Sequence, residues 1–276
     1  MRALQVLRYG GVCEPGTMRV AHVRRPVPKE DEVLVRVHAA ALNAADWKLV
    51  EGYFAQVGNE RPHFPYTPGM DLSGVVADAG RSTTRFRVGD RVVGKADEGA
   101  LADYVCVRER HVTRKPERLS FAAAAALPLS GVTALQALHE ATTLAHDRPH
   151  RVLVLGAATA VGTFAVQIAK HYECTVVATC RAEHAARLRR LGADEVLGCG
   201  GWCDALARPE RKVHAVIDCT GEDRAYQRSR CVLVDPSNCP FVTVAEAAST
   251  KLSLLALWRF SARTAFRCAL AHPPYH

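Results

Sequence analysis

The chain has 276 residues, 49% of them hydrophobic and 23% charged, so it has enough apolar material for a buried core in one large or two ordinary domains. This composition excludes disordered, collagen-like and low-complexity proteins. The formal net charge of +8 favours anionic partners such as nucleotide phosphates, but the basic residues are spread along the chain and also fit a solvated surface.

The apolar runs are shorter than the roughly 20 residues of a membrane-spanning helix, and the N-terminus carries no export signal. We therefore expect an intracellular, cytoplasmic protein, with an organellar location left open. Ten cysteines are scattered singly between Cys13 and Cys268 without a CxxC pair, which favours free thiols over a disulfide framework. Cys199 and Cys203 have no second Cys or His pair at zinc-finger spacing, so we expect no metal there.

The first hundred or so residues predict strands separated by turns. Four runs rich in β-branched residues have strand length and are bounded by Gly, Pro or Asp; they cover residues 32–42, 71–80, 89–96 and 100–107. These runs predict a mainly-β domain over residues 1–119.

The pattern changes at Ser120, which is a plausible N-cap for an Ala-rich helix that Pro128 ends. A second helix is expected over residues 130–143. Strand and helix patterns then alternate, with strands at 151–156, 175–180, 195–198, 213–221 and 240–244 and helices at 161–172 and 182–192. Such alternation predicts an α/β domain with a doubly wound parallel sheet over residues 120–276.

The turn after the first of these strands has the pattern of a nucleotide-binding site. The strand ends at Gly156, the string AATAVG follows, and a helix begins there. Small residues let a backbone approach a pyrophosphate, and a helix N-terminus presents free N–H groups to it. The residues predicted to contact the cofactor here are Gly156, Ala157, Thr159, Ala160, Val161 and Gly162.

The string LGAATAVGTFAVQIAK resembles LGASGGVGTFAVQIAK, the turn and helix of zinc-free quinone oxidoreductases in the medium-chain dehydrogenase/reductase superfamily. Further strings resemble that family in the same order: HAAALNAADWKLVEGY, FPYTPGMDLSGVV, FRVGDRVVG, GALADYV, LSFAAAAALPLSGVTALQAL and LRRLGADEVL. The resemblance runs from the first strand to about Val244. It implies a GroES-like mainly-β catalytic domain followed by a Rossmann domain, with the active site in the cleft between them.

Three departures from the family concern the cofactor. Thr159 and Ala160 replace two glycines, so we expect backbone strain and weakened binding if either position needs a positive φ. Cys199 stands where the family commonly has a tyrosine beside the phosphate. The second strand ends in Cys180 and Arg181 with no acidic residue, which favours NADPH over NADH, although Arg181 also fits a solvated cation beside Glu183.

At the zinc-ligand positions of the superfamily this chain has Asn43 and the pair Met70-Asp71, so the resemblance implies a zinc-free reaction that relies on hydrogen-bond donors. Asn43, Lys48 and Tyr53 are the candidate catalytic residues, and Thr133 matches a family position near the nicotinamide. The structural alternatives are that Asn43 and Asp46 cap a turn or helix, that Tyr53 packs at a rim, and that the Thr133 hydroxyl bonds locally.

The resemblance therefore predicts an NADPH-dependent reductase of quinones or α,β-unsaturated carbonyls, and the alternative is a degenerate NADPH-binding or interaction protein of the same fold. No nucleic-acid partner is expected, because no basic-aromatic motif is present. The chain ends before the segment with which the superfamily returns to its catalytic domain. We therefore expect an exposed fifth strand, apolar residues around 252–260 in need of cover, association such as a homodimer, and weak turnover.

Overall fold

The computed structural model describes residues 1–56, 63–142, 150–222, 224–237 and 239–245. Within these ranges the chain forms a two-stranded ribbon, a five-stranded antiparallel sheet and a five-stranded parallel sheet flanked by helices. The predicted fold class, a GroES-like mainly-β domain followed by a doubly wound Rossmann sheet, is confirmed.

The antiparallel sheet is formed by the first part of the chain. The strands of this part are β1 (Arg2–Val6), β2 (Met18–His22), β3 (Glu32–Ala41), β4 (Asp71–Ala79), β5 (Arg91–Lys95), β6 (Tyr104–Arg108) and β7 (Val112–Arg114). β1 and β2 form the ribbon, and the others pair in the order β6-β3-β4-β5-β7. Inward-facing side chains such as Val33, Val35 and Leu72 build its core. The strand predicted to begin at Ala100 begins at Tyr104 instead.

Four helices stand beside or after this sheet: α1 (Ala44–Val50), α2 (Tyr53–Gln56), α3 (Phe121–Ala125) and α4 (Pro128–Thr142). The Ser120 hydroxyl accepts a hydrogen bond from the Ala123 backbone N–H at 3.1 Å, so the predicted N-cap of α3 is present. α3 ends at Ala125, three residues before the proline predicted to end it. Pro128 begins α4 instead, because proline is well tolerated in the first turn of a helix. α3 and α4 contact strands of the antiparallel sheet, and α4 also contacts the parallel sheet.

The parallel sheet has its strands in the order β10-β9-β8-β11-β12. These strands are β8 (Arg151–Leu155), β9 (Thr175–Cys180), β10 (Glu195–Gly198), β11 (Ala215–Asp218) and β12 (Phe241–Thr243), and the helices between them are α5 (Ala160–His171), α6 (Ala185–Arg190), α7 (Trp202–Leu206) and α8 (Ala225–Ser229). Two apolar layers cover its faces. One joins α4 and α5 through residues such as Leu138 and Val166, and the other contains Trp202, Leu206 and Leu233.

β12 is an edge strand of this sheet in the part of the chain that the structure describes. The apolar positions around 252–260 that were expected to need cover lie outside the described residues. No helix within the described ranges is long and apolar enough to span a membrane.

Candidate active site

The strand order places a topological switch point between β8 and β11. After β8 the chain adds β9 and β10 on one side of that strand, and it then crosses over to add β11 and β12 on the other side. The carboxyl ends of the strands at such a point form a crevice between their loops, where open α/β sheets bind ligands. The turn from Gly156 to Gly162 lies at this end of β8.

Gly156 and Gly162 are the two residues of the turn that cannot carry a side chain. Gly156 has φ +68°, and a Cβ there would lie 2.7 Å from the Thr220 methyl group. A Cβ on Gly162 would lie 2.5 Å from the Gly156 carbonyl oxygen, so the start of α5 packs directly against the turn. The Gly156 N–H donates to the Thr179 hydroxyl at 3.1 Å, which ties the turn to the neighbouring strand β9. These contacts fit the close backbone approach that a dinucleotide pyrophosphate needs.

The backbone strain expected if Thr159 or Ala160 needed a positive φ is absent, because neither residue has one. Thr159 has φ −68° and serves as the N-cap of α5, with its hydroxyl accepting a hydrogen bond from the Gly162 N–H at 3.1 Å. Ala160 begins the helix itself. Neither position needs a positive φ, because the turn takes its left-handed residue at Gly156. The Thr159 hydroxyl does occupy one helix-terminal N–H, which leaves those of Ala160 and Val161 to face a phosphate.

A hydrogen-bonded carboxylate supports the opposite wall of this crevice. Asp218, the last residue of β11, is buried and accepts bonds from the Thr220 N–H and hydroxyl at 2.9 and 2.6 Å. The Thr243 hydroxyl at the end of β12 donates to its other oxygen at 3.1 Å. No motif indicates this network, because Thr243 lies 25 positions from Asp218 and only the pairing of β12 with β11 brings the two side chains together.

Cys180 and Arg181 follow β9 at the same end of the sheet. Cys180 is buried, whereas the Arg181 side chain is exposed and lies 3.1 Å from the Glu183 carboxylate. This ion pair is the arrangement foreseen as the structural alternative for Arg181. An exposed pair of this kind contributes little to stability, so the guanidinium can exchange its partner for a phosphate at small cost.

A second cluster joins the antiparallel sheet to the start of α4. The Asp71 carboxylate is fully buried, and the Leu129 backbone N–H lies 3.1 and 3.0 Å from its two oxygens. The Asn43 amide donates to Asp71 at 3.1 Å, and the Ser130 hydroxyl lies 3.4 Å from the Asn43 oxygen. Asn43 is therefore held at the boundary between the two sheets.

Burial raises the pKa of Asp71 to about 6. The Leu129 N–H and the Asn43 amide oppose this shift by bonding the charged form, while the nearby Asp46 carboxylate adds to it and Lys95 reduces it. Asp46 is itself buried, its pKa is raised by that burial, and it accepts the Asn43 backbone N–H at 2.7 Å. The predicted alternative of Asp46 as a helix-start acceptor is thus observed.

Lys48 and Tyr53 lie close together. Gly52, with φ +78°, forms the turn between α1 and α2, and the Lys48 ammonium lies 5.2 Å from the centre of the Tyr53 ring. Both side chains are half-buried. Thr133 is half-buried one turn beyond Ser130 in α4. The structure thus brings Asn43 to α4, the helix that carries Thr133, and brings Lys48 to Tyr53.

Asp71 and Ser130 are the residues that the sequence argument missed as parts of the site. Asp71 was noted only as a replaced zinc-ligand position. That match could have identified Asp71 as a site residue, because a residue at a metal-ligand position faces the active-site cleft.

A groove of about 920 Å³ lies wholly in the first part of the chain, lined by residues such as Gln5, Leu49, Tyr66 and Glu98. None of the predicted catalytic or cofactor-binding residues lines this groove. Within the described residues no group of three His, Cys, Asp or Glu side chains is arranged to hold a metal ion.

Comparison with known proteins identifies the family. Residues 29–117 match the alcohol dehydrogenase GroES-like domain, and residues 160–270 match the family described as zinc-binding dehydrogenase. The quinone-oxidoreductase homolog of spinach chloroplasts is 39% identical over 205 residues, which cover 71% of this chain and 60% of that protein. The chain belongs to the medium-chain dehydrogenase/reductase superfamily, among its quinone oxidoreductase-like members.

A second curated relative and a solved structure support the same family assignment. The bovine mitochondrial NAD(P)H oxidoreductase RTN4IP1 is 34% identical over 208 residues, covering 69% of this chain and 52% of that protein. The solved structure of the quinone oxidoreductase from Coxiella burnetii superimposes with a TM-score of 0.76 at 27% identity, covering 94% of this chain and 86% of that one. The chain spans about 60% of the length of the first curated relatives it matches. The relatives that the chain matches thus include proteins named as an NAD(P)H oxidoreductase and as quinone oxidoreductases.

Proposed function

We propose that this protein is an NADPH-dependent reductase of quinones or α,β-unsaturated carbonyls. The observation that carries the proposal is the turn from Gly156 to Gly162 at the switch point of a parallel sheet, with a glycine at φ +68° and a helix N-terminus facing the crevice. Family membership supports the reaction class, and the Asn43–Asp71 cluster supports a substrate site at the boundary between the two sheets.

The cofactor would be held by the backbone of the turn. The N–H groups of Ala160 and Val161 would bind the pyrophosphate, and Arg181 the 2′-phosphate of the adenosine ribose. NADPH held in this way would supply a hydride for the electron-poor carbon of the acceptor. Negative charge would then develop on the acceptor oxygen. A hydrogen-bond donor already positioned at that oxygen would lower the barrier to hydride transfer.

The chain's own donors have separate roles in this proposal. Asn43, fixed by Asp71, would orient the acceptor or the nicotinamide ribose. Lys48 and Tyr53 would donate to the developing oxyanion or pass a proton to it. Thr133 would lie beside the nicotinamide.

The test measures NADPH oxidation at 340 nm with 9,10-phenanthrenequinone and, separately, with a 2-alkenal, alongside NADPH binding by fluorescence. We expect saturable binding of NADPH and reduction of at least one acceptor class. Binding without turnover of either class would contradict the reductase and leave a nucleotide-binding protein. Absence of binding would contradict both.

Cofactor choice gives a separate prediction. Arg181→Ala should weaken NADPH binding about fivefold to tenfold and leave NADH unchanged, because the exposed guanidinium contributes a screened contact to the 2′-phosphate. Glu183→Gln should tighten NADPH binding, since Arg181 loses its competing carboxylate. The measurement is the dissociation constant of each variant for NADPH and for NADH. Arg190→Ala, on the neighbouring helix α6, is the control and should leave both constants unchanged. Equal affinity of the parent chain for NADH and NADPH would refute the role of Arg181.

The paired donors give another prediction. Tyr53→Phe combined with Lys48→Ala should lower kcat for quinone reduction about 100-fold or more while the NADPH dissociation constant changes less than threefold, because both groups act on the acceptor. Tyr172→Phe, a partly exposed tyrosine at the end of α5, is the matched control. A double variant with parent kcat would remove both residues from the reaction.

A further inference from the structure

Two cysteines that take no part in the proposed reaction have their sulfur atoms in contact. Cys203 lies in α7 and Cys231 lies two residues beyond α8, and their Sγ atoms are 2.7 Å apart although 28 positions separate them in sequence. A disulfide bond is about 2.05 Å long, so a shift of well under 1 Å would bring the sulfurs to bonding distance. The contact joins α7 to the segment after α8, and both pack on the same face of the parallel sheet.

We propose that Cys203 and Cys231 form a reversible dithiol/disulfide site that a hydroperoxide oxidises. The two thiols share a single acceptor, because Cys203 Sγ donates to the Arg228 carbonyl oxygen at 3.4 Å and Cys231 Sγ to the same oxygen at 2.9 Å. This carbonyl keeps both sulfurs on one side of the α8 terminus. The Arg228 guanidinium is fixed in turn by the Glu222 carboxylate at 2.7 Å and by the Trp202 ring at 4.8 Å.

The surroundings of the two sulfurs assign them different roles. Cys231 is exposed, so a solvent-borne oxidant reaches it, whereas Cys203 is half-buried. Burial and the adjacent Cys231 raise the pKa of Cys203 to about 11, so Cys203 stays a thiol at neutral pH. Cys231 is therefore the sulfur that the hydroperoxide reaches first, and Cys203 is the resolving thiol.

The chemistry balances with one hydroperoxide per bond. The Cys231 thiolate attacks the peroxide oxygen, the O–O bond breaks, and a sulfenic acid forms while the hydroxide or alkoxide leaves and takes up a proton. The Cys203 sulfur then attacks the Cys231 sulfur. The S–O bond breaks, the S–S bond forms, and the released hydroxide combines with the Cys203 proton as water. Two electrons pass from the two sulfurs to the peroxide.

The consequence of the bond is a covalent link between α7 and the segment after α8. Together these elements contribute Trp202, Leu206, Val232 and Leu233 to the apolar layer on one face of the sheet. A cross-link over this span restricts the unfolded chain, so the oxidised protein should melt about 5–10 °C above the reduced protein.

The experiment treats the reduced full-length chain with one equivalent of hydrogen peroxide, blocks free thiols with iodoacetamide and maps the tryptic peptides. The two cysteines fall in peptides 191–211 and 231–251, which also carry Cys199 and Cys239. The mapping is therefore repeated in a Cys199→Ser, Cys239→Ser background, where a link between the two peptides involves only the proposed pair. Melting temperatures are recorded before oxidation, after it, and after treatment with dithiothreitol.

We expect linked peptides with a mass 2 Da below the sum of the reduced peptides, reversal by dithiothreitol, and the rise in melting temperature. Cys203→Ser should abolish the link and the rise, and should leave Cys231 as a trappable sulfenic acid. Cys13→Ser, which removes another exposed thiol, should leave both intact. Alkylation of both cysteines after peroxide treatment, or linkage of either one to a different cysteine, would overturn the proposal. None of these readouts depends on NADPH or turnover.

Discussion

Gly162→Ala is expected to weaken NADPH binding at least tenfold and to lower the free energy of unfolding by about 2–3 kcal/mol. The new methyl carbon would lie 2.5 Å from the Gly156 carbonyl oxygen and 2.7 Å from the Ala157 Cα. Both neighbours are backbone atoms, so no side-chain rotation relieves the clash. The start of α5 must move away from the turn, and the N–H groups that would bind the pyrophosphate move with it.

Gly198→Ala is the matched control, because a Cβ at that position in β10 meets no atom within 4 Å. Chemical denaturation and NADPH titration by fluorescence measure the two effects separately. We expect the control to match the parent in both. If Gly162→Ala keeps the parent's NADPH affinity and free energy of unfolding, the turn accommodates a Cβ at this position and the expected clash does not occur.

The parallel sheet could be predicted largely from the sequence, because its strands are short continuous apolar runs between polar turns. The strand predicted over residues 175–180 is observed as Thr175–Cys180. The short helices α7 and α8 have five residues each, too few to repeat a 3.6-residue pattern, and were not predicted. Tertiary contacts decide whether such segments become helical.

The candidate site was partly predictable for a similar reason. The phosphate turn is contiguous, so its glycines and the following helix are visible as one motif. The Asp71 cluster is not contiguous. Asp71 bonds Asn43 from 28 positions away and Leu129 from 58 positions away, and only the fold brings these groups together. The comparison of Thr159 with a family glycine suggested strain, but torsion angles and not residue identities decide strain, and φ is −68°.

Asp71→Leu should have a large effect on both stability and turnover. Removing the carboxylate leaves the Leu129 N–H and the Asn43 amide without their acceptor in a buried position, at a cost of about 2–5 kcal/mol in the free energy of unfolding. Asn43 also loses the group that fixes it between the two sheets, so kcat/KM should fall about 100-fold. Denaturation and quinone-reduction assays measure the two losses. Asp78→Leu, at the exposed end of the same strand, should change neither by much.

Asp71→Asn separates the charge of this group from its shape. The pKa of Asp71 is raised to about 6 in the folded protein, against an ordinary value near 4, so folding favours the protonated form. This contribution to stability is complete below about pH 4 and is lost as the pH rises through 6. It amounts to about 3 kcal/mol, and Asn, which does not titrate, lacks that pH dependence. Relative to Asp71→Asn, the parent should lose about 2 kcal/mol of this stability between pH 4 and pH 6.5.

Turnover should depend on the same group with the opposite sign. The ionised carboxylate accepts from both the Leu129 N–H and the Asn43 amide, whereas protonation removes part of that accepting capacity. kcat/KM of the parent should therefore fall below an apparent pKa of about 6, and Asp71→Asn should have a lower but pH-independent value in this range. Asp46, whose pKa burial also raises, is the neighbouring carboxylate that could produce such a limb, and Asp46→Asn distinguishes the two. An acidic limb near pH 6 that persists in Asp71→Asn and disappears in Asp46→Asn would transfer this role to Asp46.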